Sequence, residues 1–266
     1  MLFATTPYDP ERHRLVLVHI RKTGGTSLGR MLDRAFGNPM IEAVREGEHV
    51  RRDRGLLRAH RKLRHGLLAL RRRRRVARAK RAGRPAYLAA EAPYIAGHFV
   101  LGTETPCSRA PLYLTLVRDP VDRLLSDYWF MRGKRDRSLG DAADPRLYDL
   151  GPNEFARAIL AEAGLYRDNL QCRSLAGSPD LDAARQAVAG RLWLGAATEQ
   201  LPEMAHLLGT AIGRDLGTAL RAKANAARPA EPGVETRLLD RLRDLNAADA
   251  ALVEEIRAEF AALARA

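Results

Sequence analysis

Residues 15–27 read LVLVHIRKTGGTS, an apolar run that passes directly into a loop rich in glycine and hydroxyl groups. Apart from His19 the run shows no polar alternation, which is typical of a parallel strand covered on both faces. The loop contains Lys22, two glycines and three hydroxyl residues, and a helix can begin at Thr26 or Ser27. This stretch therefore predicts a strand, a loop and a helix N-terminus, as in an α/β protein with a parallel sheet.

The loop has the composition of an anion-binding site. Adjacent glycines let the backbone approach a ligand closely, and backbone N–H groups and the helix dipole converge at a helix N-terminus. The predicted ligand-binding residues are Lys22, Thr23, Gly24, Gly25, Thr26 and Ser27. The alternative is an ordinary glycine-containing turn, which would not require a lysine beside three hydroxyl groups. A Walker A loop is excluded because the lysine precedes the glycines and no glycine lies upstream.

A second apolar strand is predicted over residues 112–117, and Arg118, Asp119 and Pro120 follow it. Asp followed by Pro is a typical N-cap and first-turn pair of a helix, so we expect the carboxylate to accept from backbone N–H groups. Arg118 would then meet an anion at the carboxyl edge of the sheet, where such folds bind ligands. A strand that ends in Asp is also typical of a metal-binding carboxylate in a kinase, so this alternative role of Asp119 stays open. We expect Arg123, in the following helix, to be a solvated surface charge.

A histidine follows the third apolar segment, in the stretch YIAGHF at residues 94–99. A lone histidine after a strand is more often structural than catalytic, but His98 lies between the two predicted anion-binding motifs. Histidine titrates near neutral pH and can therefore accept a proton from a reacting group. We expect His98 to be a general base, and His19 in the first strand to pack and form hydrogen bonds.

The order of these motifs resembles that of sulfotransferases that use 3′-phosphoadenosine 5′-phosphosulfate (PAPS). The closest likeness is to the carbohydrate branch that includes heparan sulfate 2-O- and 6-O-sulfotransferases and many bacterial relatives. The likeness rests on KTGGTS at residues 22–27, on Arg-Asp-Pro followed by Ser126, and on Gly-His at His98. It implies a P-loop-like three-layer α/β fold, with a central parallel sheet and helices on both faces. This branch usually has a proline before the lysine, where this chain has Arg21.

The resemblance also implies a role for each matched residue. Lys22 and its loop would hold the 5′-phosphosulfate, Arg118 and Ser126 would hold the 3′-phosphate, and His98 would be the catalytic base. Asn225 lies where the family closes a loop over the adenosine phosphate, although the hydroxyl that usually follows is absent here. A segment similar to one in the 6-O branch implies acceptor contacts by Asn169, Gln171 and Arg173.

The implied reaction transfers a sulfuryl group from PAPS to an acceptor hydroxyl, on a carbohydrate or glycan, with no metal. One alternative is a P-loop kinase that depends on Mg-ATP. The other is a non-catalytic module of the same fold that docks on anionic surfaces. The combination of Lys22, His98, Arg118 and Ser126 argues against loss of catalysis, because a binding module does not need these four residues together.

A basic insertion covers residues 45–84. It contains 17 Lys or Arg residues against three acidic ones, a net charge of +14, whereas the whole chain carries +13. Its leucines at near-helical spacing predict a basic amphipathic helix, and a solvated arm is the alternative. A nucleic-acid partner is not favoured, because the insertion has no aromatic residues to stack on bases. We expect it to contact an anionic membrane surface or an acidic polysaccharide.

The 266 residues suffice for one α/β domain, which we predict over residues 1–266. No apolar run approaches the ~20 residues of a membrane span, and the N-terminus lacks a signal-peptide pattern. We therefore expect a cytoplasmic protein that contacts the inner membrane face peripherally, and the richness in alanine and arginine indicates a bacterial source. Apolar spacing predicts helices over residues 153–163, 180–189, 200–212, 234–245 and 247–264, and a strand from residue 192.

Overall fold

The computed structural model describes residues 6–36, 42–43, 93–104, 108–134, 140–217 and 233–265. The predicted basic helix in residues 45–84 and the predicted donor residue Asn225 both lie outside these ranges.

A single parallel sheet forms the centre of the described structure. Its strands are β1 (His13–Val18), β2 (Glu42–Ala43), β3 (Tyr94–Gly97), β4 (Ala110–Val117) and β5 (Leu192–Ala197), arranged in the order β2-β3-β1-β4-β5. Leu17 of β1 stands opposite Ala96 on one side and Leu114 on the other. These observations confirm the α/β class and the parallel sheet. The two residues of β2 are too few to show a strand pattern in the sequence.

Helices follow or connect the strands. They are α1 (Gly25–Phe36), α2 (Pro120–Arg132), α3 (Pro152–Ala161), α4 (Leu170–Ala176), α5 (Leu181–Arg191), α6 (Leu201–Ile212), α7 (Thr236–Leu245) and α8 (Ala247–Leu263). The five helices predicted beyond residue 151 agree with α3, α5, α6, α7 and α8 to within two residues at each end. Within the described ranges no helix is long and apolar enough to span a membrane.

The strand order brings three loops together at one edge of the sheet. Because all five strands are parallel, the segments after β1, β3 and β4 leave from their common carboxyl edge. The chain passes from β1 towards β2 and from β4 towards β5, in opposite directions from the centre of the sheet. A reversal of this kind leaves a crevice between adjacent loops, where open α/β sheets bind ligands.

Two apolar clusters surround this edge. The larger cluster buries β1, β4 and β5 against their flanking helices, including α1 and α8. The smaller cluster joins α2, α3 and α7, and aromatic side chains form its centre: Tyr128, Tyr148, Phe155 and Tyr166. The loop after β1 therefore lies where the sheet meets a helical cluster.

Buried charges connect the first loop to α2. The Arg21 guanidinium lies 3.0 Å from Asp127 and 3.6 Å from Asp141, and Arg123 donates to Asp141 at 2.8 Å. The Tyr148 hydroxyl donates to Asp127 at 2.7 Å. We call Arg21, Arg123, Asp127 and Asp141 the buried charge cluster. The prediction that Arg123 is a solvated surface charge is wrong, because its side chain is only 1% exposed and paired with Asp141.

The two aspartates of the buried charge cluster differ in their electrostatic surroundings. Burial alone would raise the pKa of Asp141, but the guanidinium groups of Arg123 and Arg21 hold that pKa below its usual value. Burial raises the pKa of Asp127, and the nearby charge of Asp141 raises it further, while Arg21 opposes both effects. Asp141 is therefore the carboxylate that the two arginines stabilise most directly.

We expect Arg123→Gln to lower the free energy of unfolding by about 3–5 kcal/mol, because removing one partner leaves a buried charge uncompensated. Urea unfolding of the purified variant measures this loss. The matched control is Arg146→Gln, which removes an arginine that is 88% exposed and paired with Asp144. The control should unfold like the wild-type protein, because exposed pairs contribute little. Equal stability of the two variants would contradict the importance assigned to the buried charge cluster.

Candidate functional site

The loop between β1 and α1 forms a concave backbone segment at the carboxyl edge of the sheet. Lys22 adopts a φ of 66° and Gly24 a φ of 90°, both in the left-handed region. Such a conformation is uncommon for a residue with a side chain, and left-handed residues occur in the concave backbone turns that bind anions. Helix α1 begins at Gly25, one or two residues earlier than the predicted start at Thr26 or Ser27. The loop and the first turn of α1 together present N–H groups and a positive helix end to an anion.

Gly25 packs against His19, and His19 in turn contacts His98. A Cβ atom at Gly25 would overlap the His19 ring, so no other residue fits this position without movement. The His19 ring stacks on the His98 ring, with centroids 4.5 Å apart and an interplanar angle of 28°. The predicted packing role of His19 is thus confirmed. The stack places His98, which follows β3, directly beside the loop after β1.

A hydrogen bond orients the His98 ring. Its Nδ1 atom contacts the carbonyl oxygen of His19, and a carbonyl oxygen can only accept. Nδ1 therefore carries the hydrogen, and in the neutral ring the lone pair is on Nε2. Nε2 is the nitrogen that can take a proton from a substrate.

Threonine side chains fasten the loop to the sheet. The Thr198 hydroxyl, directly after β5, lies 2.7 Å from the carbonyl oxygen of Thr23 and 3.0 Å from that of Val117. The Thr23 hydroxyl donates to the carbonyl oxygen of Ile20 and is fully buried. In this arrangement the Thr23 hydroxyl is not available to a ligand. The sequence patterns assigned no role to Thr198, although its place directly after a strand was a usable signal.

Arg118 is held at the end of β4 by a buried glutamine. The Gln171 side chain accepts from the Arg118 N–H at 2.9 Å and donates to the Arg118 carbonyl oxygen at 2.8 Å. Asp249 of α8 in turn accepts from the backbone N–H groups of Gln171 and Cys172. Gln171, which was predicted to contact the acceptor, is fully buried and supports Arg118 instead. No local signal marked Asp249, whose partners lie more than 70 residues away.

The predicted N-cap at the start of α2 is confirmed. Asp119 accepts from the Asp122 N–H at 2.9 Å, and Pro120 occupies the first turn of the helix. The guanidinium group of Arg118 lies beside this capped turn. It lies 3.3 Å from the carbonyl oxygen of Lys22 and 3.4 Å from the Asp122 carboxylate.

One face of α2 contacts both predicted phosphate-binding cations. Asp122, Ser126 and Phe130 are spaced four residues apart and so share that face. Asp122 contacts Arg118, and the Lys22 ammonium lies 3.8 Å from the centre of the Phe130 ring. Ser126 is thus placed between the contacts to Arg118 and Lys22, so the structure brings the three predicted residues to one region.

A cavity of about 430 Å³ opens beside His98, and Arg118 is not among its lining residues. His19, Arg21 and His98 form part of its wall, and Arg173 forms another part. Among the three predicted acceptor residues, Arg173 alone lines this cavity. Asn169 joins helices instead, because it accepts from the Asp249 N–H at 3.0 Å.

Comparison with known proteins adds no assignment, since no protein-family model and no curated protein matches the chain. Within the described residues, no group of three or more His, Cys, Asp or Glu side chains could hold a metal ion.

We expect Gly25→Ala to lower the free energy of unfolding by about 1–3 kcal/mol, because the added methyl group forces the His19 ring from its place. In a His19→Ala background, where the obstructing ring is gone, Gly25→Ala should lower the free energy of unfolding much less. Urea unfolding measures the loss in both backgrounds. The His19→Ala single variant is the control for loss of the ring itself. An equal cost in both backgrounds would disprove the steric explanation.

Proposed function

We propose that this protein transfers the sulfuryl group of PAPS to an acceptor hydroxyl, on a carbohydrate or a related hydroxyl compound. The observation that carries the proposal is the placement of His98 and Arg118 on opposite sides of the loop after β1. A donor held between the loop and Arg118 would present its reacting end towards His98. The acceptor would enter through the cavity on the His98 side.

A P-loop-like three-layer fold is part of this proposal. The sheet order β2-β3-β1-β4-β5, with β1 at the centre, supports it. So does the loop that leads from β1 into the N-terminus of the 12-residue helix α1. The loop differs from a Walker A loop in the order of lysine and glycines, and this difference favours a phosphosulfate over a Mg-bound triphosphate.

The described residues suit the two anionic ends of the donor. The left-handed loop and the α1 N-terminus offer N–H groups to a 5′-phosphosulfate, with Lys22, Thr26 and Ser27 beside them. In the proposal, Arg118 and Ser126 hold the 3′-phosphate. The contacts of Arg118 to Lys22 and Asp122 are long, at 3.3 and 3.4 Å. A phosphate would be a stronger partner for the guanidinium group than either of them.

In the proposed reaction PAPS supplies a sulfuryl group already activated by its bond to phosphate. His98 Nε2 takes the proton of the acceptor hydroxyl while that oxygen bonds to sulfur. The bond between sulfur and the bridging phosphate oxygen breaks, and Lys22 and the loop N–H groups stabilise the negative charge left on that oxygen. A sulfate ester and 3′-phosphoadenosine 5′-phosphate (PAP) result, and the proton remains on His98.

The kinase alternative has less support. It would need the Asp119 carboxylate for Mg²⁺, but this carboxylate caps α2 and lies 3.7 Å from Arg243. Arg118 and the buried Gln171 behind it have no part in a Walker-type site, whereas they are required for binding a 3′-phosphate in the proposal.

We expect the protein to bind PAP at least tenfold more tightly than AMP, because Arg118 and Ser126 would add a charge-assisted contact to the 3′-phosphate. Calorimetry with EDTA present measures both affinities and removes any contribution from Mg²⁺. In Arg118→Gln the advantage of PAP should disappear, while AMP binding should change little. Equal affinities in the wild-type protein would refute the PAPS assignment, and tight ATP binding that requires Mg²⁺ would instead support a kinase.

A second experiment separates the roles of His98 and Lys22. His98→Ala should lower the rate of sulfuryl transfer by about 10²–10⁴-fold, the usual loss of a general base, and leave PAP affinity unchanged. Lys22→Ala should reduce both transfer and PAPS affinity, because the ammonium group would contact the donor before reaction. Turnover with radiolabelled PAPS and an acceptor panel provides the rates, and calorimetry provides the affinities. His206→Ala, on the exposed side of α6, is the control for histidine loss. Near-normal turnover in His98→Ala would remove this residue from the mechanism.

A further inference from the structure

We propose that Phe130 is a positioning residue, whose ring holds the Lys22 ammonium group in place for an anion bound by the loop after β1. The inference rests on the proposed function where it takes that anion to be the 5′-phosphosulfate of PAPS. It assigns a role to a contact that the proposed reaction leaves unused, because the Lys22 Nζ atom lies 3.8 Å from the centre of the Phe130 ring. At this distance the ammonium group is attracted to the negative face of the ring.

The backbone at Lys22 is fixed by its neighbours on both sides. The Arg21 guanidinium is paired with Asp127 at 3.0 Å. The carbonyl oxygen of Thr23 lies 2.7 Å from the Thr198 hydroxyl. These contacts define where the Lys22 side chain leaves the loop, but a flexible four-carbon stem still separates the backbone from the ammonium group. A second point of attachment is needed to fix the charge itself.

Helix α2 supplies that second point. Asp127 and Phe130 are three residues apart, so they are neighbours on the surface of α2. Arg21 contacts the first and Lys22 contacts the second, so two consecutive loop residues pair with one side of the helix. Ser126 lies four residues before Phe130 on the same helix. The ring therefore holds the ammonium group about one turn from the serine that is proposed to bind the 3′-phosphate.

The surroundings of the ring strengthen this contact. Lys22 and Phe130 are both half-buried, and partial removal of water strengthens the attraction between a cation and a ring. A second ammonium group, that of Lys134, lies 4.6 Å from the same ring centre. The two ammonium groups are therefore no farther apart than the sum of these two distances. Two like charges held this close create a positive field, which attracts an anion.

An ammonium group that is already held binds an anion more tightly than a mobile one. A lysine side chain loses much rotamer entropy when a ligand immobilises it. The contact with Phe130 orders the Lys22 side chain beforehand, so less entropy is lost on binding. The ammonium group can face the ring on one side while its other N–H donors contact the anion. Weakening the attraction of the ring should therefore weaken anion binding without changing the shape of the site.

The test replaces Phe130 by phenylalanines with progressively more ring fluorines, which withdraw negative charge from the ring face at nearly constant shape. Calorimetric titration with PAP and with inorganic pyrophosphate, both with EDTA present, measures the affinity at each step. Both affinities should fall stepwise, by about three- to tenfold for the fully fluorinated ring. Phe130→Leu, which keeps apolar bulk but has no ring, should bind like the fully fluorinated variant.

The matched control is Phe36, whose ring centre lies 4.5 Å from the Arg214 guanidinium, at the opposite end of α1 from the loop. Fluorination of Phe36 should leave both affinities unchanged. Two further variants identify the cation that responds to the Phe130 ring. The dependence on fluorination should persist in Lys134→Gln and disappear in Lys22→Gln.

A stepwise loss of PAP affinity through Lys22 supports the inference, whether or not pyrophosphate binds. A PAP affinity that does not respond to fluorination of Phe130, or a response that disappears with Lys134 and not with Lys22, overturns it even though PAP binds as proposed. Absence of binding by both anions overturns it as well. A pyrophosphate affinity that depends on the ring, in a protein that does not bind PAP, would support the role of Phe130 and refute the sulfotransferase function.

Discussion

The arrangement of the loops at the carboxyl edge of the sheet depends on the buried charge cluster. Arg21 stands at the start of the loop after β1, Arg123 and Asp127 stand on α2, and Asp141 begins the segment that leads to Arg167 at the cavity rim. Burying four charges is tolerable only when each has an opposite charge in good geometry, so their mutual positions are tightly restricted. The cluster thereby fixes the loop, the first helix after β4 and the cavity rim relative to one another. The cluster also explains why the chain can have Arg21 before Lys22, because Asp127 and Asp141 compensate the charge of Arg21.

The sheet divides the edge into two halves with different chemistry. On the β4 side, Arg118 and the capped start of α2 form a cationic region suited to phosphate. On the β3 side, the stacked rings of His19 and His98 border the cavity. The loop after β1 lies between them because β1 is flanked by β3 and β4. A transfer reaction needs this separation, with a donor on one side, an acceptor on the other and the reacting atoms between.

Residues far along the chain support Arg118 and the loop after β1, which form the proposed donor side. Asp249 in α8 orients the backbone of Gln171, and Gln171 holds the backbone of Arg118 through both its amide oxygen and its amide nitrogen. Thr198 supports the loop, because its hydroxyl lies within hydrogen-bond distance of the carbonyl oxygens of Thr23 and Val117 and can donate to either. Such supports reduce the motion of the binding groups, and pre-organised groups bind and stabilise charge more effectively than mobile ones.

The sequence by itself determined four of the five described strands, most helix limits, the α2 cap at Asp119 and the positions of the loop, His98 and Arg118 at the sheet edge. Each of these follows from short-range patterns, because strand burial, helix spacing and capping depend on neighbouring residues. Only the tertiary structure decided that Arg123 is buried, that Gln171 supports Arg118, and that the Thr23 hydroxyl turns inward. The partners of Arg123 and Gln171 lie 18 and 53 residues away. The sequence names the residue but does not say whether its side chain is exposed to solvent or buried against a partner. That choice depends on how distant segments of the chain pack together.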